Sequence, residues 1–212
     1  MADKIKYPVI RCTPKTGSEP ILCDGRRVAC VQDYWRWAHS ELNSNAERGK
    51  FAEYLVSLAL DCANSTSEEW GGAYDILWEA EQVKVEVKAS AYIQVWGQKA
   101  LSTPMFSTRP SRAWNPEDNT FEETARRQAD VYVFALENCT VQDMANPNPL
   151  DLSQWEFHVL PTSKLNERGA QGTISLPLLA KLGARRVIEL EDLAGAVRDA
   201  ARENAAASEG GM

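Results

Sequence analysis

The chain has 212 residues, of which 44% are hydrophobic and 25% charged, a globular balance that excludes a disordered or fibrous protein. Its formal net charge is -7, because 30 acidic residues outnumber 23 basic ones. This excess of acid argues against a protein that coats polyanions generally, although it leaves room for a local basic cleft.

Cysteine usage and hydropathy indicate the compartment. The five cysteines are an odd number and form no CxxC pair, which favours reduced thiols over a disulfide framework or a structural zinc site. The first ten residues, MADKIKYPVI, contain no apolar signal region, and no apolar run approaches the roughly 20 residues needed to cross a bilayer. We therefore expect a cytoplasmic protein that does not associate with membranes.

The N-terminal residues predict short strands followed by a short helix. YPVIRC (7–12) and ILCDGRRVACVQ (21–32) have strand character, and the Asp24-Gly25 pair is a hairpin turn signal. DYWRWAHSEL (33–42) is a short amphipathic segment. We expect one domain over 1–212, in which residues 1–43 form an N-terminal extension.

SNAERGKFAEYLVSLALDCAN (44–64) carries the clearest helix signal in the chain. Ser44 and Glu47 stand three residues apart and can cap each other's backbone N–H groups. Phe51, Leu55 and Leu58 belong to an apolar stripe at helical spacing, which predicts that this helix packs on a core.

Two strand-like runs follow, YDILW and VKVEVKA, joined by four residues. Valines alternate with charged residues in the second run, which is the period of a half-buried strand. If Trp78 pairs with Val83, Asp75 lies directly opposite Glu86. Like charges at such cross-strand positions are destabilising, and a cation between them would make the arrangement easier to tolerate.

The rest of the chain predicts further strands and helices. A short helix is expected in ASAYIQVWGQKA, and the tract 97–124 is irregular enough to be functional or disordered. ADVYVFAL and WEFHVL predict buried strands, with helices near 176–182 and in EDLAGAVRDAARENAA. The predicted class is α/β, a mixed central sheet flanked by helices, with a core over 44–190 and a C-terminal helix and flexible tail over 191–212.

Asp75, Glu86 and Lys88 have the chemistry that metal-dependent phosphodiester hydrolysis requires. Two neighbouring carboxylates can bind Mg²⁺, whose coordinated waters supply a nucleophile. Lys88 projects from the same strand face as Glu86, so its ammonium can orient the attacking water or stabilise developing charge. The backbone carbonyl of Val87 lies between them and is a further candidate ligand.

This pattern, D-x10-E-V-K on a hairpin that follows a helix containing GKFAE, resembles the PD-(D/E)xK nuclease superfamily and its restriction-endonuclease-like fold. The resemblance covers about residues 44–90. It implies that Asp75 and Glu86 are metal ligands, that Val87 offers its carbonyl and that Lys88 is the catalytic lysine. Glu53 would be the acid that the preceding helix contributes to the catalytic site.

The resemblance implies an enzyme that hydrolyses DNA with Mg²⁺, or with Mn²⁺ in its place, in restriction, defence against mobile DNA, or repair. A homodimer is compatible with it. Gln94 resembles a glutamine of exonuclease-type members, whereas Tyr74 stands where the family name has proline. Weaker candidates for nucleic-acid contact are the arginines Arg109, Arg112, Arg126 and Arg127.

Other interpretations stay open at the level of sequence. Glu53 can instead pair with Lys50 on the solvent face of its helix. Arg126 and Arg127 can contact phosphate or only solubilise the start of a strand. The whole chain can be a catalytically inactive module that binds nucleic acid or a partner, or an unrelated α/β protein in which Glu-Val-Lys is an exposed strand edge.

Overall fold

The computed structural model describes residues 7–10, 13–63 and 72–209. The helices are α1 (Val31–Ala38), α2 (Asn45–Ala59), α3 (Thr162–Asn166), α4 (Leu176–Lys181) and α5 (Leu193–Glu209). The strands are β1 (Pro20–Cys23), β2 (Arg26–Cys30), β3 (Ile76–Trp78), β4 (Val83–Ala91), β5 (Met105–Ser107), β6 (Trp114–Asn115), β7 (Thr120–Phe121), β8 (Val131–Glu137), β9 (Trp155–Pro161), β10 (Thr173–Ser175) and β11 (Arg185–Val187). Within these ranges, none of the helices combines the length and apolar character needed to span a bilayer.

A five-stranded sheet in the order β11-β9-β8-β4-β3 forms the centre of the molecule. β4 and β8 run parallel, while the other neighbouring pairs are antiparallel. The predicted mixed sheet flanked by helices is therefore confirmed. The strand runs ADVYVFAL and WEFHVL are confirmed as β8 and β9, every residue of which is buried.

The two faces of the sheet are covered by different elements. On the first face, alternate residues of β4 and β8 pack with α2 and α5 in one core cluster, whose members include Val85, Val133, Leu55 and Val197. On the second face, Phe134 and its neighbours pack with residues of β5, β10, α3 and α4. Side chains alternate between faces along each strand, so the burial pattern of β4 assigns Glu86 and Lys88 to the second face.

Helix α2 begins close to the expected residue, but its cap differs from the expected one. The Ser44 hydroxyl accepts a hydrogen bond from the Glu47 backbone N–H at 3.3 Å, as predicted. The Glu47 carboxylate lies 3.0 Å from Nδ1 of His39 instead of capping the Ser44 N–H, which donates to the Glu41 carbonyl. The capping box is thus half formed. The Glu47 carboxylate instead connects α2 to His39, in the segment that precedes the helix.

The N-terminal hairpin is confirmed. β1 pairs with β2 across a turn in which Asp24 and Gly25 have φ of +50° and +76°, the left-handed conformation that this residue pair favours. A strand over 7–12 is wrong where it can be checked, because 7–10 are not in a strand and 11–12 lie outside the described residues. No residue of β1 or α1 is buried.

The segment after β4 differs from the sequence-based expectation. No helix forms over 92–100, because the Gln98 side chain satisfies the backbone locally: its amide nitrogen donates to the Tyr92 carbonyl and its oxygen accepts from the Gln94 N–H. The irregular tract 97–124 contains β5, β6 and β7. β5 pairs with β10, a partner far along the chain that no local pattern indicates.

Arg127 links two chain segments that lie on the second face of the sheet. Its side chain is 7% exposed and donates to the carbonyls of Thr108, Gly169 and Gln171 and to the Asn166 side chain, at 2.9 to 3.1 Å. One guanidinium therefore fixes the tract before β8 to the loop between α3 and β10.

We predict that Arg127→Ala lowers the free energy of unfolding by about 3 kcal/mol, because it leaves buried carbonyls without donors. Arg126→Ala is the matched control: this neighbouring arginine is exposed and pairs with Glu122 at 2.8 Å, so its loss should cost less than about 1 kcal/mol. Urea denaturation measures both changes. Equal losses of stability in the two variants would contradict the structural role given to the Arg127 hydrogen bonds.

Candidate functional site

The hairpin of β3 and β4 has the predicted register. Trp78 pairs with Val83 and Ile76 with Val85, and the Asp75 backbone N–H donates to the Val85 carbonyl at 3.1 Å. Asp75 therefore lies at the start of β3 beside Glu86. The four-residue connection and the alternating valines were sufficient to predict this juxtaposition.

Lys88 bridges the two carboxylates. Its Nζ lies 2.6 Å from Oε1 of Glu86 and 3.5 Å from Oδ2 of Asp75. The two acids consequently point to the same side of the sheet and are separated by no more than the sum of those distances. The side chain of Lys88 is 29% exposed, that of Glu86 is 19% exposed and that of Asp75 is 22% exposed. The cluster is therefore largely buried but accessible to solvent.

The backbone of Val87 completes this edge of the cluster. Its N–H donates a hydrogen bond to Oδ2 of Asp75 at 2.7 Å. The carboxylate thus takes the place of the backbone carbonyl that a longer β3 would offer. The N–H and C=O of one strand residue point to the same edge, so the Val87 carbonyl also faces the side on which Asp75 lies. This edge of β4 has no strand partner beyond Val85, the residue opposite the first residue of β3.

Burial and charge act in opposite directions on the cluster. Burial, followed by the nearby Asp75 carboxylate, raises the pKa of Glu86, and the Lys88 ammonium opposes this only in part. Burial alone would lower the pKa of Lys88, but the two carboxylates outweigh it and raise that pKa. Lys88 is therefore a charged ammonium at neutral pH, suited to stabilising negative charge and unable to act as a base.

Tyr132 is a neighbour of the cluster that the sequence did not reveal. It pairs with Glu86 across the parallel β4 and β8 strands, and it is 3% exposed. Burial, followed by the charge of Glu86, raises the pKa of its phenol, which stays protonated. Because β8 reads as a uniformly apolar run, only the register of the parallel pair could have identified Tyr132.

Glu53 lies on the flank of α2 nearer to this edge of the sheet. Phe51 contacts Trp155 of β9, with 6.0 Å between ring centroids. Glu53 stands two residues later, about 200° around the helix axis, and so faces away from β9 toward the β3 edge. Its carboxylate also lies 3.0 Å from Nζ of Lys50, the pairing that the alternative interpretation expects.

The four arginines proposed for nucleic-acid contact are not gathered at the cluster by any contact among the described residues. Arg112 donates to the Glu122 carbonyl and Arg126 pairs with the Glu122 carboxylate, while Arg127 is buried as described above. Arg109 is exposed and its side chain packs beside Gly172. Arg112 and Arg126 are thus partly committed to one acidic neighbour.

A second polar cluster lies on the first face, at the ends of β4 and β8. Arg48 and Glu137 are almost fully buried, with 3.9 Å between the guanidinium and the carboxylate. Arg48 also donates to the Gln94 side chain at 3.3 Å. Gln94 therefore contacts the first turn of α2 and not the carboxylates of the β3–β4 hairpin.

The donor set of the hairpin fits magnesium as a partial coordination shell. The carboxylates of Asp75 and Glu86 and the Val87 carbonyl are hard oxygen donors, and Mg²⁺ is commonly held by one or two carboxylates, with waters and phosphate oxygens completing its shell. Across the described ranges, no group of three His, Cys, Asp or Glu side chains is arranged to hold a metal ion. The site thus offers two acidic ligands, and an ammonium occupies the space between them.

Comparison with known proteins adds no assignment. No family model matches the chain, and no significant match was found among curated proteins or solved structures. The functional interpretation therefore depends on the site itself.

We predict that Glu86→Gln raises the melting temperature at pH 7 by a few degrees in metal-free buffer. The folded protein binds the Glu86 proton more tightly than the unfolded chain, so wild-type stability falls as pH rises from 4.5 through the raised pKa. The gain should therefore shrink below pH 4.5. Scanning calorimetry measures it, with the exposed Glu189→Gln as control. A loss of stability at pH 7 would contradict the charge balance described above.

Proposed function

We propose that the protein is a Mg²⁺-dependent nuclease that hydrolyses DNA phosphodiester bonds. The observation that carries this proposal is the placement of Asp75, Glu86 and Lys88 on one face, with the Lys88 ammonium in contact with both carboxylates. The fold supports it: helix α2 precedes the antiparallel β3–β4 hairpin, and buried strands follow, which is the order expected of a restriction-endonuclease-like core. Restriction, defence against mobile DNA and repair are the roles that such an activity would serve.

Each residue has a separate task in this proposal. Asp75, Glu86 and the Val87 carbonyl would hold the metal ion, which supplies Lewis acidity and an acidified water. Lys88, charged at neutral pH, stabilises the negative charge that builds on the phosphate oxygens. Glu53 orients water at the edge of the site. Tyr132, buried and protonated beside Glu86 on the neighbouring strand, would limit the access of solvent to that carboxylate.

The electrostatics of the cluster support a cation-dependent reaction. Without metal, a single ammonium must neutralise two neighbouring carboxylates, and burial still leaves the pKa of Glu86 raised. Asp75 and Glu86 would repel each other less with a divalent cation between them, and the Lys88 ammonium, no longer needed to neutralise them, would be available to the phosphate. Mn²⁺, which also prefers oxygen ligands, should replace Mg²⁺.

We predict that Lys88→Met lowers the rate of DNA cleavage by about 100-fold to 1000-fold, the usual effect of removing one preorganised group that stabilises the transition state. The matched control is Lys84→Met, which removes an exposed lysine from the same face of β4 that lies over the Tyr74 ring. Plasmid and oligonucleotide cleavage with Mg²⁺ or Mn²⁺ measures both variants, and circular dichroism verifies their folding. Absence of cleavage by the wild-type protein on DNA and RNA, or full activity of Lys88→Met, would refute catalysis.

A catalytically inactive binding module is the second candidate. It is favoured by one observation: in the part of the chain that the structure describes, the cluster joins two acids and no third. This candidate predicts nucleic-acid or partner binding that survives replacement of Asp75 and Glu86 by alanine and that does not respond to a chelator. The nuclease predicts that metal-dependent cleavage is lost in the same variants.

A further inference from the structure

Charge is distributed unevenly along the chain. Residues 1–43 contain seven basic residues and five acidic ones, whereas residues 44–212 contain 16 basic and 25 acidic. The excess of acid therefore lies entirely outside the N-terminal extension. A nuclease whose body is this acidic needs a separate positive surface to attract a polyanion.

Three side chains of the extension form an exposed surface that we name the N-terminal patch: Arg27 of β2 with Arg36 and Trp37 of α1. Asp33, Arg36 and Trp37 stand at positions i, i+3 and i+4 and so share one face of the helix. Hydrogen bonds from the Cys30 N–H and thiol, followed by the charges of Arg36 and Arg27, lower the pKa of Asp33. Arg27 is exposed in β2, and this strand runs directly into α1, whose N-cap is Cys30, so Arg27 stands just before the helix that carries the other two side chains.

The opposite side of α1 is the one that packs. The Trp35 ring lies against Gly17, which has φ of +94° and precedes β1. Trp37, in contrast, is 84% exposed. An indole left in solvent, on a helix whose Arg36 side chain is also exposed, suits a base stacked on its face and a phosphate held by the arginine.

The cations of the patch are available for a ligand. Among the described residues, the Arg27 side chain forms no hydrogen bond and no ion pair within 4.0 Å. In the same part of the chain, the Arg36 side chain has one ion pair, with Asp33 at 3.6 Å, and the exposed fractions of 70% and 49% make this interaction one of small value. Arg112 and Arg126, by comparison, are held by Glu122.

We propose that the N-terminal patch binds the nucleic-acid substrate at a segment with unpaired bases. Arg27 and Arg36 contact phosphates and Trp37 stacks on a base. This inference rests on the proposed function for the identity of the substrate, but the patch acts in binding and takes no part in the hydrolysis. It assigns the N-terminal extension the task of holding DNA, a task separate from that of the acidic catalytic cluster.

The test is the affinity of the full chain for a labelled single-stranded DNA oligonucleotide, measured by fluorescence anisotropy in EDTA so that no cleavage occurs. We expect Arg27→Ala/Arg36→Ala to weaken binding about tenfold or more and to reduce the slope of log K against log salt by about 1.4, the value for two lost phosphate contacts. Trp37→Ala should weaken single-strand binding about fivefold or more, and duplex binding less.

Lys181→Ala/Arg202→Ala is the matched control, because it also removes two exposed cations and one weak i,i+3 pair, here between Arg202 and Asp199 at 3.9 Å. It should change the affinity less than about twofold. The proposal is overturned if the wild-type chain does not bind, or if both double variants lose affinity equally. It is also overturned if the patch variants retain DNA affinity while sedimentation shows that they lose self-association, which would make the patch an interface between copies.

The two proposals can fail separately. Patch-dependent binding in EDTA together with no metal-dependent cleavage would refute the nuclease and leave the patch as a binding surface. Cleavage that depends on Lys88 but is equally efficient in the patch variants at low DNA concentration would refute the patch alone.

Discussion

Two carboxylates placed opposite each other on a half-buried hairpin are the constraint around which the site is organised. Asp75 and Glu86 repel, burial strengthens that repulsion, and Lys88 reduces it by contacting both. The repulsion between them opposes folding, since a neutral side chain in place of either carboxylate would avoid it. A cluster that costs stability and faces solvent is typical of a binding or catalytic site.

The topology explains where the cluster forms. β4, the strand that carries Lys88, lies between β3 and β8, and its pairing with β3 stops at Val85, which lies opposite Ile76, the first residue of β3. There the Asp75 carboxylate replaces a strand partner by accepting the Val87 N–H. The same short β3 that exposes the Val87 carbonyl edge also brings Asp75 to Lys88. The start of one short strand thus brings the two carboxylates, the Lys88 ammonium and the Val87 carbonyl together.

Sequence patterns predicted the hairpin well because its determinants are local. Alternating valines fix which side chains of β4 share a face, and a four-residue connection fixes the register that places Asp75 beside Glu86. Long-range pairings have no such local signal, so Tyr132 beside Glu86 and the pairing of β5 with β10 could not be predicted. Arg126 and Arg127 illustrate the same limit: they are adjacent and identical in type, and only tertiary packing leaves the first in solvent and buries the second.

Crystallography with Mn²⁺ tests most directly whether the two acids exist to share a divalent ion. Crystals soaked in Mn²⁺ should show an anomalous peak between the carboxyl groups of Asp75 and Glu86, with the Val87 carbonyl among the ligands and Lys88 withdrawn from Glu86. The peak should vanish in Glu86→Gln. An ordered site that still has Lys88 between the carboxylates and no anomalous peak at saturating Mn²⁺ would contradict the account.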